Sequence, residues 1–284
     1  MDSPRLAAEL LLAHALGVSR TQLLASAALP SSPYPLTQSP CHLVTLSPPH
    51  LVTFQSLVDR CVDGEPLAYI IGHKEFYDLD LACDVRALIP RPETELLVQT
   101  ILDATLETRN LKLLTLIADV GTGGGCIAIT LAAHWPAAVV YAVDVSPAAL
   151  ALAQQNAQRC QVAGRITFLR GDLLEPLPEA VDVIAANLPY VTTSEWEGLP
   201  AHIRLHEPRM ALDGGGDGLE LVRRLLAQAP QRLLPGGLVV LEIGAAQGQA
   251  VLELARAAFP AARVELKQDY GRLDRLVVID TLNL

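Results

Sequence analysis

Ala118-Asp119-Val120-Gly121-Thr122-Gly123-Gly124-Gly125-Cys126 decides how this chain is read. An apolar run over 113–120 enters it as a buried strand, and a helical stretch leaves it. Glycines at a strand-to-helix turn let a ligand approach the backbone closely, because no Cβ intervenes. A second apolar run, 138–145, ends in Val143-Asp144. Asp144 follows Gly121 at close to the distance, roughly 20 residues, at which a carboxylate meets ribose hydroxyls. A third run, 166–169, leads into Gly171-Asp172-Leu173, where a carboxylate can accept from an adenine amino group and a leucine can cover the ring. The plainer readings are a tight turn without a ligand, and helix caps at Asp144 and Asp172.

Further runs at 181–186, 238–243, 263–266 and 276–279 continue the alternation of strand and helix, which implies an α/β fold with a doubly wound parallel sheet. The link Asp269-Tyr270-Gly271-Arg272 is too short for a crossover helix, so the seventh strand is expected to be antiparallel. Upstream, Pro92 suits a first helical turn, and Glu93-Thr94-Glu95 places acid at the positive end of a helix reaching about residue 106. Residues from 4 to about 70 read as helical, with Gly17 as a C-cap. The Pro- and Ser-rich stretch 29–49 interrupts them as a loop; a helix resumes at 51–58 and stops near Gly64-Glu65-Pro66. Phe76-Tyr77-Asp78-Leu79 and Leu81-Ala82-Cys83-Asp84-Val85 read as a β-hairpin. The expected division is a small N-terminal helical domain over 1–74, a hairpin linker over 75–90 and the sheet domain over 91–284.

The 284 residues carry a formal net charge of −10 and contain no basic run. That balance counts against a nucleic-acid substrate, because duplex binding draws its affinity from phosphate neutralisation, and it favours a basic protein partner. Hydrophobic residues make up 51% and aromatic residues 4%, so Leu, Ala and Val must build the core. No apolar run approaches the roughly 18 residues of a membrane span. Met1-Asp2-Ser3-Pro4-Arg5 lacks the basic start of a signal peptide. The five cysteines (Cys41, Cys61, Cys83, Cys126, Cys160) form no C-x-x-C pair and read as reduced core thiols of a cytoplasmic protein. No histidine spacing suggests a metal, and a monomer is expected.

The remaining signal is Val183-Ile184-Ala185-Ala186-Asn187-Leu188-Pro189-Tyr190, a strand that ends in Asn-Leu-Pro-Tyr. Open parallel sheets bind ligands at the carboxyl ends of their strands. A planar NH2 group, as in glutamine or adenine, presents two donors and asks for two acceptors and a flat apolar surface. Asn187 Oδ1, a backbone carbonyl and Tyr190 can supply them; the alternative is an ordinary strand-ending turn.

Two adenosine cofactors compete for the glycine turn. A dinucleotide fingerprint is G-x-G-x-x-G, whereas this turn has Cys126 at the last position. With an antiparallel seventh strand, the pattern resembles S-adenosylmethionine-dependent methyltransferases, whose usual motif matches Asp119-Val120-Gly121-Thr122-Gly123. Asn187-Leu188-Pro189-Tyr190 then looks like the (Asn/Asp)-Pro-Pro-Tyr motif of enzymes that methylate planar NH2 groups. Gly64-Glu65-Pro66-Leu67-Ala68-Tyr69-Ile70-Ile71-Gly72, Leu88-Ile89-Pro90-Arg91-Pro92-Glu93-Thr94-Glu95, Glu207-Pro208-Arg209 and Leu241-Glu242-Ile243-Gly244 are similar to the peptide-chain release-factor glutamine methyltransferase family.

The resemblance implies S-adenosyl-L-methionine as cofactor and a class I peptide chain release factor as partner. The acceptor would be the glutamine of its Gly-Gly-Gln loop, and the N-terminal helices would help dock it. Carried over by position, Gly121, Thr122, Gly123, Gly124, Gly125, Asp144, Asp172, Leu173 and Asn187 would bind the cofactor. Asn187, Leu188, Pro189 and Tyr190 would hold the glutamine and form the catalytic set. Leu188 stands where the family usually has proline, but Pro189 still favours extended geometry at residue 188. Arg91 and Glu93 would order the segment beside the cofactor or simply start a helix, and Gly214-Gly215-Gly216 reads as a turn. The competing readings are an adenine-N6 DNA or RNA methyltransferase, a glutamine methyltransferase of a ribosomal protein, and a non-catalytic cofactor-binding partner of the translation machinery.

Overall fold

A computed structural model of the chain describes residues 3–27, 47–107 and 115–282. The chain divides into two compact units, 1–72 and 73–284. In the first, α1 (Pro4–Leu16) starts at Ser3, whose Oγ accepts from the Leu6 amide. It ends at Gly17, whose φ of 65° is the left-handed cap expected there. α2 (Arg20–Ala27), α3 (Pro48–Val62) and α4 (Leu67–Ile71) follow. Leu11, Leu57 and Ile70 form the buried centre of this unit. The expected loop over 29–49 falls largely outside the described residues. At its end α3 begins at Pro48, three residues earlier than expected, because proline fits a first helical turn, where its missing N–H has no partner to lose.

The second unit opens with a hairpin of β1 (His73–Phe76) and β2 (Leu79–Ala82). It lies about three residues upstream of its expected position. Tyr77 and Asp78 are not strand residues; they make the two-residue turn, with φ of 47° and 64°. Tyr77 tolerates this because its ring packs edge-on against His134 and its hydroxyl bonds Gln99.

α5 (Thr94–Glu107), β3 (Thr115–Val120), α6 (Cys126–His134), β4 (Ala138–Asp144), α7 (Pro147–Arg159), β5 (Ile166–Arg170) and β6 (Val181–Asn187) follow, alternating as the sequence predicts except that a loop, not a helix, links β5 to β6. α8 (Thr193–Gly198), α9 (Ala201–His206), α10 (Glu220–Arg232), β7 (Leu233–Glu242), α11 (Gly248–Ala258), β8 (Arg263–Gln268) and β9 (Asp274–Asp280) complete it. One seven-stranded sheet results, in the order β5-β4-β3-β6-β7-β9-β8. Its strands are parallel except β9, which runs antiparallel between β7 and β8. Strand reversal was expected; insertion of the last strand between two earlier ones is a feature of the sheet alone.

Apolar clusters cover both faces of the sheet. One joins Val120, Ile184 and Leu241 to α10 and α11; the other joins Ile117, Val140 and Val183 to α5 and α6. Because both faces are covered, the inner strands are nearly continuous in apolar residues. Cys83 lies buried, and burial pushes its thiol up to about 12.

Candidate active site

Parallel register brings the carboxyl ends of β3, β4 and β6 together, and a cavity of about 510 Å³ opens above them. Gly121, Thr122, Gly123, Gly124, Asp144, Asp172, Leu173, Asn187, Leu188 and Pro189 line it. Two sequence-predicted residues do not. Gly125, at φ 87°, faces α6 and α7: a Cβ there would meet Ile129 Cδ1 at 2.7 Å, so this glycine serves close packing rather than the cavity. Tyr190 lies against Gly244, near Glu242 and Arg275, and burial raises its phenol above the ordinary range.

Three side chains, of Asp144, Asn156 and Asp119, brace the glycine turn. Asp144 Oδ2 accepts from the Gly123 amide at 2.9 Å, while Oδ1 accepts from the Ser146 amide at 2.8 Å. The helix cap itself is Ser146, whose Oγ accepts from the Ala149 amide. Asp144 is therefore left as a carboxylate at the cavity wall, with lone pairs beyond those two bonds, and burial raises its pKa. Buried Asn156 accepts from the Ala82 amide at 2.7 Å and donates to the Ala82 and Gly124 carbonyls, so one side chain pins the turn to the hairpin. Beneath the turn, fully buried Asp119 accepts from Thr122 Oγ1 at 2.6 Å and from the Ala128 amide at 3.0 Å. Burial pushes its carboxyl up to about 7, and its Oδ1 has no hydrogen-bond partner among the described residues.

Asp172 reaches the cavity wall paired with Arg224, an ion pair the sequence does not announce. Leu173 adopts φ 49° and is buried beside it. Across the cavity, Arg91 Nη2 donates to Glu207 Oε1 at 2.7 Å, and the Ile89 amide donates to the other oxygen at 3.3 Å. Arg91 and Glu207 thus join two segments of the cavity rim through a carboxylate whose side chain is 2% exposed.

Asn187 and Glu242 are register neighbours at the ends of β6 and β7. Thr94, the first residue of α5, lies between them. Asn187 Nδ2 donates to Thr94 Oγ1 at 3.0 Å, and Thr94 Oγ1 donates to Glu242 Oε2 at 2.7 Å. Glu242 and Thr94 are each 2% exposed, and burial raises the Glu242 carboxyl to about 7. Neither was singled out as a site residue. The signal available was an acid interrupting an apolar strand end.

The loop after Asn187 is held from behind. Val191 donates to the Leu212 carbonyl at 3.0 Å and accepts from the Gly214 amide at 2.7 Å. Gly214-Gly215-Gly216, read from the sequence as a turn, is an irregular segment that bends at Gly216, and Gly214 packs close to Pro189.

A family model described as a methyltransferase domain matches residues 117–206, and one described as a PrmC N-terminal domain matches residues 1–34. A release factor glutamine methyltransferase of Moorella thermoacetica is 43% identical over 276 residues, covering 97% of this chain and 90% of the relative. One from Nitratidesulfovibrio vulgaris is 38% identical over 283 residues, covering 98% and 88%. A solved methyltransferase from Pyrococcus furiosus shares the fold with a TM-score of 0.53, at 18% identity over 80% of this chain and 98% of that one.

Proposed function

The chain belongs to the release factor glutamine methyltransferase family, and from that premise we propose that it methylates the side-chain amide nitrogen of the glutamine in the Gly-Gly-Gln loop of class I release factors. S-adenosylmethionine is the methyl donor on this reading. The observation that carries it is the position of Asn187: it shares one cavity wall with the glycine turn and Asp144, and its Nδ2 is already engaged by Thr94.

The residues suit the cofactor. Gly121, Gly123 and Gly124 leave room at the wall, the Asp144 carboxylate suits ribose hydroxyls, and Leu173 offers an apolar cover. When bound, S-adenosylmethionine supplies a methyl group activated on a sulfonium. The difficulty rests with the nucleophile, because amide conjugation sustains a rotation barrier of about 18–20 kcal/mol and ties up the nitrogen lone pair. Asn187 Oδ1 and the Leu188 carbonyl would accept the two N–H bonds and hold one face of the nitrogen toward the cavity. As that nitrogen becomes tetrahedral and positive, both acceptors bind it more strongly, which selectively stabilises the transition state. Alignment contributes separately, up to about 7–11 kcal/mol in favourable cases. The product proton passes to water, and no general base is required. Tyr190 would bound the glutamine from outside the cavity, and the helical unit would provide a docking surface for the release factor.

Mass spectrometry of a class I release factor incubated with the protein and S-adenosylmethionine tests the proposal. One added methyl on the loop glutamine is the expected result. An unmodified glutamine alongside transfer to DNA would overturn it.

A further inference from the structure

An asparagine amide can hold a substrate NH2 group only if its oxygen faces that group; turned over, it presents two more donors. Nothing in the covalent structure of Asn187 chooses between these orientations. The choice passes to its neighbours, and this inference rests on the function proposed above.

Thr94 Oγ1 has one proton and sits between Asn187 Nδ2 and Glu242 Oε2, in a residue that is 2% exposed. A carboxylate can only accept. While Glu242 is ionised, the Thr94 proton is committed to it, Thr94 Oγ1 must accept from Asn187, and Asn187 Oδ1 is left for the cavity. A protonated Glu242 can donate to Thr94 Oγ1. Thr94 then donates onward, and Asn187 satisfies it only by turning its oxygen inward. We propose that Thr94 and Glu242 are positioning residues that set the polarity of the Asn187 amide, so that one buried ionisation decides whether the site accepts or repels a substrate NH2 group.

The charged surroundings place that ionisation within reach of ordinary pH. Burial raises the Glu242 carboxyl to about 7, opposed by Thr94, Arg275 and Asn187 and reinforced by Glu93. Tyr190 and Cys126, which also face Glu242, are themselves raised in part by its charge. Arg275 is shared with Asp269 at 3.1 Å, so it does not neutralise Glu242 alone.

The test is steady-state methylation of a class I release factor by the full-length protein across pH 5.5 to 9. The variants are Thr94→Val, Thr94→Ser and Glu242→Gln, and cofactor affinity is measured for each. Thr94→Val should lower kcat at least about 30-fold with cofactor affinity changed less than about twofold. Thr94→Ser, which keeps the hydroxyl, should recover most of the loss. The wild type should lose kcat as pH falls below about 7, and Glu242→Gln should remove that acid limb, because a glutamine cannot change charge. If Thr94→Val fails to fold, the Thr94→Ser and Glu242→Gln profiles decide. A Thr94→Val protein with near-normal kcat, a serine variant no better than valine, or an acid limb that survives in Glu242→Gln would each overturn the relay. Wild-type protein that leaves the release factor unmodified would defeat the proposed function instead, so the two failures are distinct.

Discussion

Gly214 lies so close to Pro189 that a Cβ on it would stand 2.4 Å from the Pro189 carbonyl oxygen and 3.0 Å from the Tyr190 Cα. The segment containing Gly214 is thus the back wall of the Asn187–Tyr190 loop. Gly214→Ala must push that loop, at a cost of about 1–3 kcal/mol in stability. A shift on the order of 1 Å in a reacting group can cost 10²-fold, so turnover should fall by about 10–100-fold. A Cβ on Gly216 would meet nothing within 4 Å among the described residues beyond its chain neighbours, and Gly216→Ala should leave both turnover and the thermal midpoint nearly unchanged. Equal effects from the two substitutions would show that the contact does not position the loop.

Asn187→Ala removes one acceptor but no core volume, since Asn187 is only partly buried. Turnover should drop by about 10²–10³-fold, as for loss of a donor at an oxyanion site, while the folded state survives by circular dichroism. Near-normal methylation by this variant would remove Asn187 from the chemistry.

Arg91→Ala strands the Glu207 carboxylate in a site that is 2% exposed. Breaking a buried pair costs about 3–5 kcal/mol; because Arg91 keeps about a third of its side chain in water, about 2–3 kcal/mol is expected from urea unfolding. Adding Glu207→Gln should recover part of it, since the remaining partner is then neutral. A double variant less stable than Arg91→Ala would argue against the pairing.

The buried carboxyl of Glu242 rises from an ordinary 4.5 to about 7, with desolvation the largest cause. Between those values the folded protein holds a proton that the unfolded chain has released. Stability from this group is therefore present at low pH and is lost as pH rises from about 4.5 to about 7. Asp119, raised to about 7 by burial, acts with the same sign. The thermal midpoint of Glu242→Gln should gain on that of the wild type from pH 5 to pH 8. A difference that stays flat, or shrinks, would mean that Glu242 titrates near its unfolded value.

How much could be read without coordinates follows from how far apart the interacting residues are. Runs of apolar residues marked every strand of the sheet, and Asp119 to Cys126 marked the turn, because periodicity and glycine conformation are local properties. The hairpin was displaced by three residues since Tyr77-Asp78 looks like strand until its packing against His134 and Gln99 is known. The family resemblance assigns Gly125 and Tyr190 to the site, whereas Gly125 faces α6 and α7 and Tyr190 lies against Gly244, so neither lines the cavity.

By itself, then, the sequence determined the alternating fold, the reversal of the last strand and the residue types at each strand end. Each of these is set within a few consecutive positions. Only the tertiary structure decided which polar groups meet: Thr94 between Asn187 and Glu242, Arg91 on Glu207, Arg224 on Asp172, Asn156 on the glycine turn. Those partners lie tens to more than a hundred residues apart, and hydrogen bonding depends on distance and angle between atoms that only the assembled sheet brings together.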